Sequence, residues 1–121
     1  MNIPIRSFRD LEIYQQGLSL VTRTYQVVDR LPKSERYGLI SQMRRAAVSI
    51  VANIAEGYGK KRSIKDFRAY LDTAVGSCNE IIALLDVCQK LGYLDTEDWE
   101  KLCEAYTVLA KRISVLARNW R

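Results

Sequence analysis

Phe67, Leu71, Ala74, Cys78, Ile81, Leu85 and Cys88 follow one another at alternating spacings of four and three without a break. An α-helix advances about 3.6 residues per turn, so this alternation draws one narrow apolar seam along a single long helix. Such a seam is the packing edge of a left-handed helical bundle. Ser63 and Asp66 mark the start of this helix, and Gly92 is placed to stop it. No segment alternates convincingly as a strand. The chain is therefore expected to be all-α, with its other segments supplying partners for the seam.

Three further helices are predicted. Helix one covers Phe8 to Arg30, with Ser7 and Asp10 at capping-box spacing and Leu31-Pro32 at its end. Its expected core stripe is Leu11, Tyr14, Leu18, Val21, Tyr25 and Val28. Helix two covers Ser34 to Glu56 and is stopped by Gly57 and Gly59. Asp95 caps helix four, Leu94 and Trp99 are spaced as a hydrophobic staple, and the stripe is Leu102, Tyr106, Leu109, Ile113, Leu116 and Trp120. Helices of this size are ~35–40 Å long, and loops of about three to six residues make neighbours antiparallel. The expected architecture is an antiparallel up-down-up-down four-helix bundle, one domain over residues 1–121.

Helix two is unusual. Ala46 to Ala55 carries no charge in a chain that is 27% charged. Ile40, Met43, Ala47, Ile50 and Ile54 make the core face, and Tyr37, Val48, Val51 and Ala55 form a second apolar strip beside it. A helix apolar over most of its circumference is covered on more than one side, which points to contact with another subunit. Small residues also cluster midway along two helices: Ala46, Ala47, Ser49 and Ala52 on the second, Ala74, Gly76 and Ser77 on the third. They suit close approach of helices two and three, or a contact between subunits. Glycine inside a helix costs about 1 kcal/mol relative to alanine, and close packing at Gly76 is the expected compensation. The candidate oligomer interface is Tyr37, Val48, Val51, Ala55 and Gly76.

A third face of helix two carries Gln42, Arg45, Ser49, Asn53 and Glu56. Serine and asparagine are mediocre helix formers. This polar stripe faces solvent, or fixes register by hydrogen bonds across helices or subunits, or belongs to a ligand or RNA site.

The sequence has no histidine, which removes the commonest general base and metal ligand. Cys78 and Cys88 lie about 15 Å apart on one helix, too far for a shared bond or metal. Both are expected to be buried, reduced thiols, with Cys103 at the edge of its stripe. No apolar run approaches the ~18 residues of a membrane span, and the first residues lack an apolar signal core. A cytoplasmic protein without catalytic residues, cofactor or metal is expected.

The net charge of +5 is unevenly distributed. In an up-down bundle the N-terminus, the second loop and the C-terminus share one end. That end collects Arg6, Arg9, Lys60, Lys61, Arg62, Lys65, Arg68, Lys111, Arg112, Arg118 and Arg121. Against these eleven cations stand Asp10, Glu12, Glu56 and Asp66, while the rest of the chain is slightly negative. A basic pole of this kind fits a nucleic-acid backbone. Tyr58 and Phe67 flank the Lys60-Lys61-Arg62 run and are placed to stack on bases. Cations also complement the C-terminal dipoles of helices two and four. Lys65 and Arg68, in the first turns of helix three, fall outside that account. An acidic protein is the remaining candidate partner.

The run Pro32-Lys33-Ser34-Glu35-Arg36-Tyr37-Gly38-Leu39, continuing through Gln42-Met43-Arg44-Arg45-Ala46-Ala47-Val48-Ser49-Ile50 to Asn53-Ile54-Ala55-Glu56-Gly57, resembles the four-helix bundle proteins encoded by intervening sequences in 23S ribosomal RNA genes. Phe8-Arg9-Asp10-Leu11, Phe67-Arg68-Ala69-Tyr70-Leu71, Ala74-Val75-Gly76-Ser77, Glu80 and Leu91-Gly92-Tyr93 agree. The resemblance spans residues 7 to 118. One departure is Val51, where the family often has proline, which leaves any kink after Ile50 without its usual cause. The resemblance implies an up-down bundle assembled as a homopentameric ring, with no established catalytic residues and a setting near ribosomal RNA. The accessory variability proteins of diversity-generating retroelements look related, which implies RNA or DNA, and a reverse transcriptase or other nucleic-acid enzyme, as partners. The expected function is a non-enzymatic, homo-oligomeric accessory protein that binds RNA or DNA through its basic pole. The alternative is a protein-interaction scaffold for an acidic partner.

Overall fold

The computed structural model describes residues 4–120, and four helices make up most of them. They are α1 (Glu12–Val28), α2 (Leu39–Gly59), α3 (Ile64–Lys90) and α4 (Thr96–Asn119), with short 3-10 turns at Phe8–Asp10 and Lys33–Glu35. Each helix packs on two neighbours, α1 on α2 and α4, and α3 on the same pair. Contacts step in opposite directions along each pair. Gly17 and Tyr25 of α1 meet Val51 and Arg44 of α2, and Met43, Ser49 and Gly57 of α2 meet Cys88, Ser77 and Tyr70 of α3. Arg68 and Asp86 of α3 meet Ala117 and Trp99 of α4. The result is a four-helix bundle with neighbours antiparallel.

The α3 seam is its centre. All seven seam residues, from Phe67 to Cys88, have no exposed surface. Ser63 Oγ accepts the Asp66 N–H at 3.2 Å. Gly92 ends the helix with φ +79°, in the left-handed region that glycine enters without penalty. Asp95 Oδ1 accepts the Asp98 N–H at 2.8 Å and opens α4 as expected. Leu102, Tyr106, Leu109 and Ile113 are buried, whereas Leu116 and Trp120 are half-buried and the smaller Ala117 takes the last core position.

Helix one departs from expectation in two ways. Ser7 and Asp10 form a capping box, but on a 3-10 turn, and Leu11 is extended (φ −73°, ψ 130°) before α1 begins. The inward face also differs in part: Leu11 and Val28 of the expected stripe are buried, but Ile13, Gly17, Leu20, Thr24 and Val27 join them, while Leu18 and Tyr25 are exposed. The core side uses small and polar residues that an apolar count overlooks. A Cβ at Gly17 would lie 2.7 Å from Val51 Cγ1, so glycine is what lets α1 and α2 come this close. The Thr24 hydroxyl lies 2.5 Å from the Tyr106 hydroxyl, which also donates to the Leu20 carbonyl at 3.3 Å. Thr24 is thereby satisfied in a position where an unpaired hydroxyl would be costly.

Helix two starts later and runs further than expected. Residues 33–38 form a 3-10 turn followed by a hydrogen-bonded turn, which leaves Tyr37 on a connection and 89% exposed. Gly57 does not stop α2 but lies inside it, and Gly59 is its last residue. Gly57 is there for closeness, since a Cβ would sit 2.7 Å from Tyr70 Cβ and 3.1 Å from Phe67 Cδ1. Gly76 is the converse case: it is exposed, a Cβ there would meet nothing within 4 Å, and the expected close packing is absent within the chain.

Candidate nucleic-acid interface

The α2–α3 loop, the start of α3 and the end of α4 meet at one end of the bundle, tied by aromatic rings and a guanidinium. Phe67 and Trp120 pack edge-on at 4.8 Å between ring centres, with Tyr58 beside both at 6.3 and 6.4 Å. Arg68 donates from Nε to the Ala117 carbonyl at 2.6 Å and from a terminal nitrogen to the Arg118 and Trp120 carbonyls at 3.2 and 3.4 Å. A groove between the N-terminal segment and α4, lined by Ile5, Asp10, Lys111, Val115 and Asn119, brings the start of the chain to the same end.

Arg6, Arg9, Lys60, Lys61, Arg62, Lys65 and Arg118 are all exposed there; Arg121 lies outside the described residues. Among the described residues, ion pairs occur only toward the opposite end: Arg30–Asp98 at 2.9 Å, Arg44–Asp29 at 3.1 Å and Lys101–Glu97 at 2.8 Å. The described cations of the basic end thus have no carboxylate within 4 Å among the described residues. The Asp10 carboxylate is held below its ordinary pKa by the backbone N–H groups of Arg6 and Ser7, at 2.8 and 3.1 Å, so its charge serves the capping box.

Two sequence assignments need correction. Arg68 is committed to the last carbonyls of α4, where a cation also complements the helix dipole. Its position early in α3 is therefore explained by α4, and only Lys65 stays outside the dipole account. Phe67 is fully buried and cannot stack on a base. Tyr58 is half-buried with the Lys61 ammonium 3.8 Å from its ring centre, and Arg9 lies 5.0 Å from that of Phe8. The rings hold the end together and orient its cations.

The polar stripe separates into two parts. Asn53 Nδ2 donates to the Ser49 carbonyl at 2.8 Å and to Ser49 Oγ at 3.1 Å, and Ser49 Oγ lies 3.0 Å from Ser77 Oγ on α3. These residues fix the α2–α3 register at the small-residue crossing. Gln42, Arg45 and Glu56 are exposed.

The proposed interface residues also separate. Val48 is exposed, Val51 and Ala55 are half-buried, and Gly76 lies apart on α3. Leu18 and Tyr25 of α1, read from sequence as core, are exposed instead. With Arg44 stacked 5.1 Å from the Tyr25 ring centre and Val51 against Gly17, the antiparallel register brings Val48 level with this α1 strip. The uncovered apolar surface thus belongs to two helices. Its sequence signal was present, since α1 carries apolar residues at helical spacing on two faces, but periodicity does not say which face turns inward.

Cys78 and Cys88 are buried and Cys103 is half-buried. Burial pushes the Cys78 thiol up to about 12, and burial with the nearby Asp86 carboxylate pushes Cys103 to about 11. Among the described residues no three histidine, cysteine or acidic side chains are grouped to hold a metal ion. Among the described residues no helix is long and apolar enough to cross a membrane.

Fold and site together define an all-α bundle protein with one cationic end. The family model for the 23S rRNA-intervening sequence protein matches residues 9–115, and the chain belongs to that family. A crystal structure of a protein with unknown function from the S23 ribosomal protein family, from Bacteroides thetaiotaomicron VPI-5482, has a TM-score of 0.79 to this chain. It is 21% identical and the match covers 88% of this chain and 96% of that one, a likeness of fold. No curated protein matches this chain.

Proposed function

We propose that this protein is a non-enzymatic homo-oligomer, a pentamer as the family resemblance implies, that binds RNA or DNA by the phosphate backbone. The observation that carries the reading is the contrast in charge pairing among the described residues: ion pairs toward one end, and seven exposed cations without a carboxylate partner at the other. A ring would repeat this end around one face, so weak contacts by single subunits would combine. With Phe67 buried and Tyr58 covered by Lys61, affinity rests on phosphates with little base readout.

The test is a salt titration of native protein and a Lys60→Gln, Lys61→Gln, Arg62→Gln variant on duplex RNA and DNA. Native binding should weaken steeply with salt, and the variant should lose part of that slope. Equal, negligible binding by both at low salt would make a scaffold for an acidic protein the better account. Assembly is tested separately by light scattering. Val48→Glu should dissociate the oligomer, because it places a charge in the proposed contact while leaving the subunit core untouched. Native protein running as a monomer at micromolar concentration would refute the oligomer.

A further inference from the structure

A second concave surface continues from the basic end, sharing Arg118 with it, along the side of the bundle between α3 and α4. Its walls are Arg68 and Asp72 from α3 and Lys111, Ser114 and Arg118 from α4, enclosing about 620 Å³. Lys111, Ser114 and Arg118 recur at spacings of three and four, so one face of α4 presents them together. Arg68 is immobilised by the α4 carbonyls, which makes its positive charge a fixed part of the wall. Lys111 and Arg118 are exposed and without a carboxylate partner among the described residues. Three cations and a hydroxyl thus face one carboxylate, Asp72, itself unpaired there.

We infer that this α3–α4 groove is a phosphodiester-binding site, seating the backbone of duplex RNA as it leaves the basic end. The inference rests on the nucleic-acid reading and adds to it a location, since the groove lies on the side of the bundle and not on the α2–α3 loop. Flexible Lys111 and Arg118 meet the phosphates, Ser114 Oγ supplies a donor, and Arg68 contributes charge from a fixed position. Asp72 opposes binding. Its removal is therefore expected to strengthen the interaction, an effect that loss of a merely structural carboxylate would not produce.

The experiment measures binding of a short mixed-sequence duplex RNA by anisotropy across a salt series. Lys111→Gln with Arg118→Gln should lower the slope of log affinity against log salt by about two. Asp72→Asn should tighten binding roughly two- to five-fold by removing a nearby like charge, while Glu80→Gln, the same charge change outside the groove, should have little effect. On the unaltered protein, the duplex should protect Lys111 from acetylation and leave Lys33, at the other end, reactive. A native slope in the double variant with Lys111 unprotected overturns the groove. If the Lys60–Arg62 variant still loses slope in that case, the basic-end reading stands without it. Absence of duplex binding by native protein removes both.

Discussion

The two ends of this bundle use the same kinds of side chain in opposite ways. At the end where α1 meets α2 and α3 meets α4, Arg30, Arg44 and Lys101 each hold a carboxylate. At the other end cations sit beside rings and carbonyls: Lys61 on Tyr58, Arg9 on Phe8 and Arg68 on the last turn of α4. Those partners orient a cation without neutralising it, so the field survives for a partner in solution. Counting lysines and arginines separates the ends only by number. What their charges are paired with separates them in kind.

The largest test of that contrast exchanges the two sets. Neutralising Lys60, Lys61 and Arg62 should take about three from the salt slope of nucleic-acid binding, whereas neutralising Arg30, Arg44 and Lys101 should leave the slope nearly unchanged. Comparable losses from both sets, measured by anisotropy, would show that net charge alone governs binding.

Stability should respond in reverse. Arg68→Ala removes charge-assisted hydrogen bonds to the α4 carbonyls and should cost about 1–3 kcal/mol in urea unfolding. Lys101→Ala, which breaks an exposed pair one turn apart, should cost no more than about 0.5 kcal/mol. Two glycines at the basic end sharpen the point. Gly57→Ala drives a methyl group against Tyr70 and should destabilise by about 1–3 kcal/mol, while Gly59→Ala meets open space and should stabilise by up to about 1 kcal/mol. Equal effects at the two positions would mean that the α2–α3 approach is looser than the structure shows.

The smallest expected effects are in pH. Asp10 has a lowered pKa, so its capping contribution is full above the ordinary carboxylate value of 3.8 and is lost as pH falls through the folded value. Lys101 has a raised pKa through Glu97, so its contribution is full below 10.5 and is lost as pH rises through the folded value. The ends should therefore loosen at opposite extremes, the Arg6 and Ser7 amides in acid and the first turn of α4 in base. Amide exchange followed at both extremes checks the order.

α3 and α4 were legible because their punctuation and seams agree: Ser63, Gly92 and Asp95 act locally, and large apolar residues mark the buried face. α1 was not, because Gly17 and Thr24 face inward and their fitness depends on Val51 and Tyr106, which are distant in sequence. The basic end was readable as a set of cations once the topology was assumed. The burial of Phe67 was readable too, since the α3 seam already placed it in the core; that Arg68 is bound to α4 and that Lys111 and Arg118 share a groove were not.

By itself, then, the sequence determined the helical class, the α3 seam, the caps of α3 and α4 and the gathering of positive charge, since each follows from residue spacing along one helix and short loops. Only the tertiary structure decided which face of α1 is buried, where two glycines permit contact and which cations keep their charge unpaired. Those outcomes depend on distances between side chains on different helices, which the linear order of residues leaves unspecified.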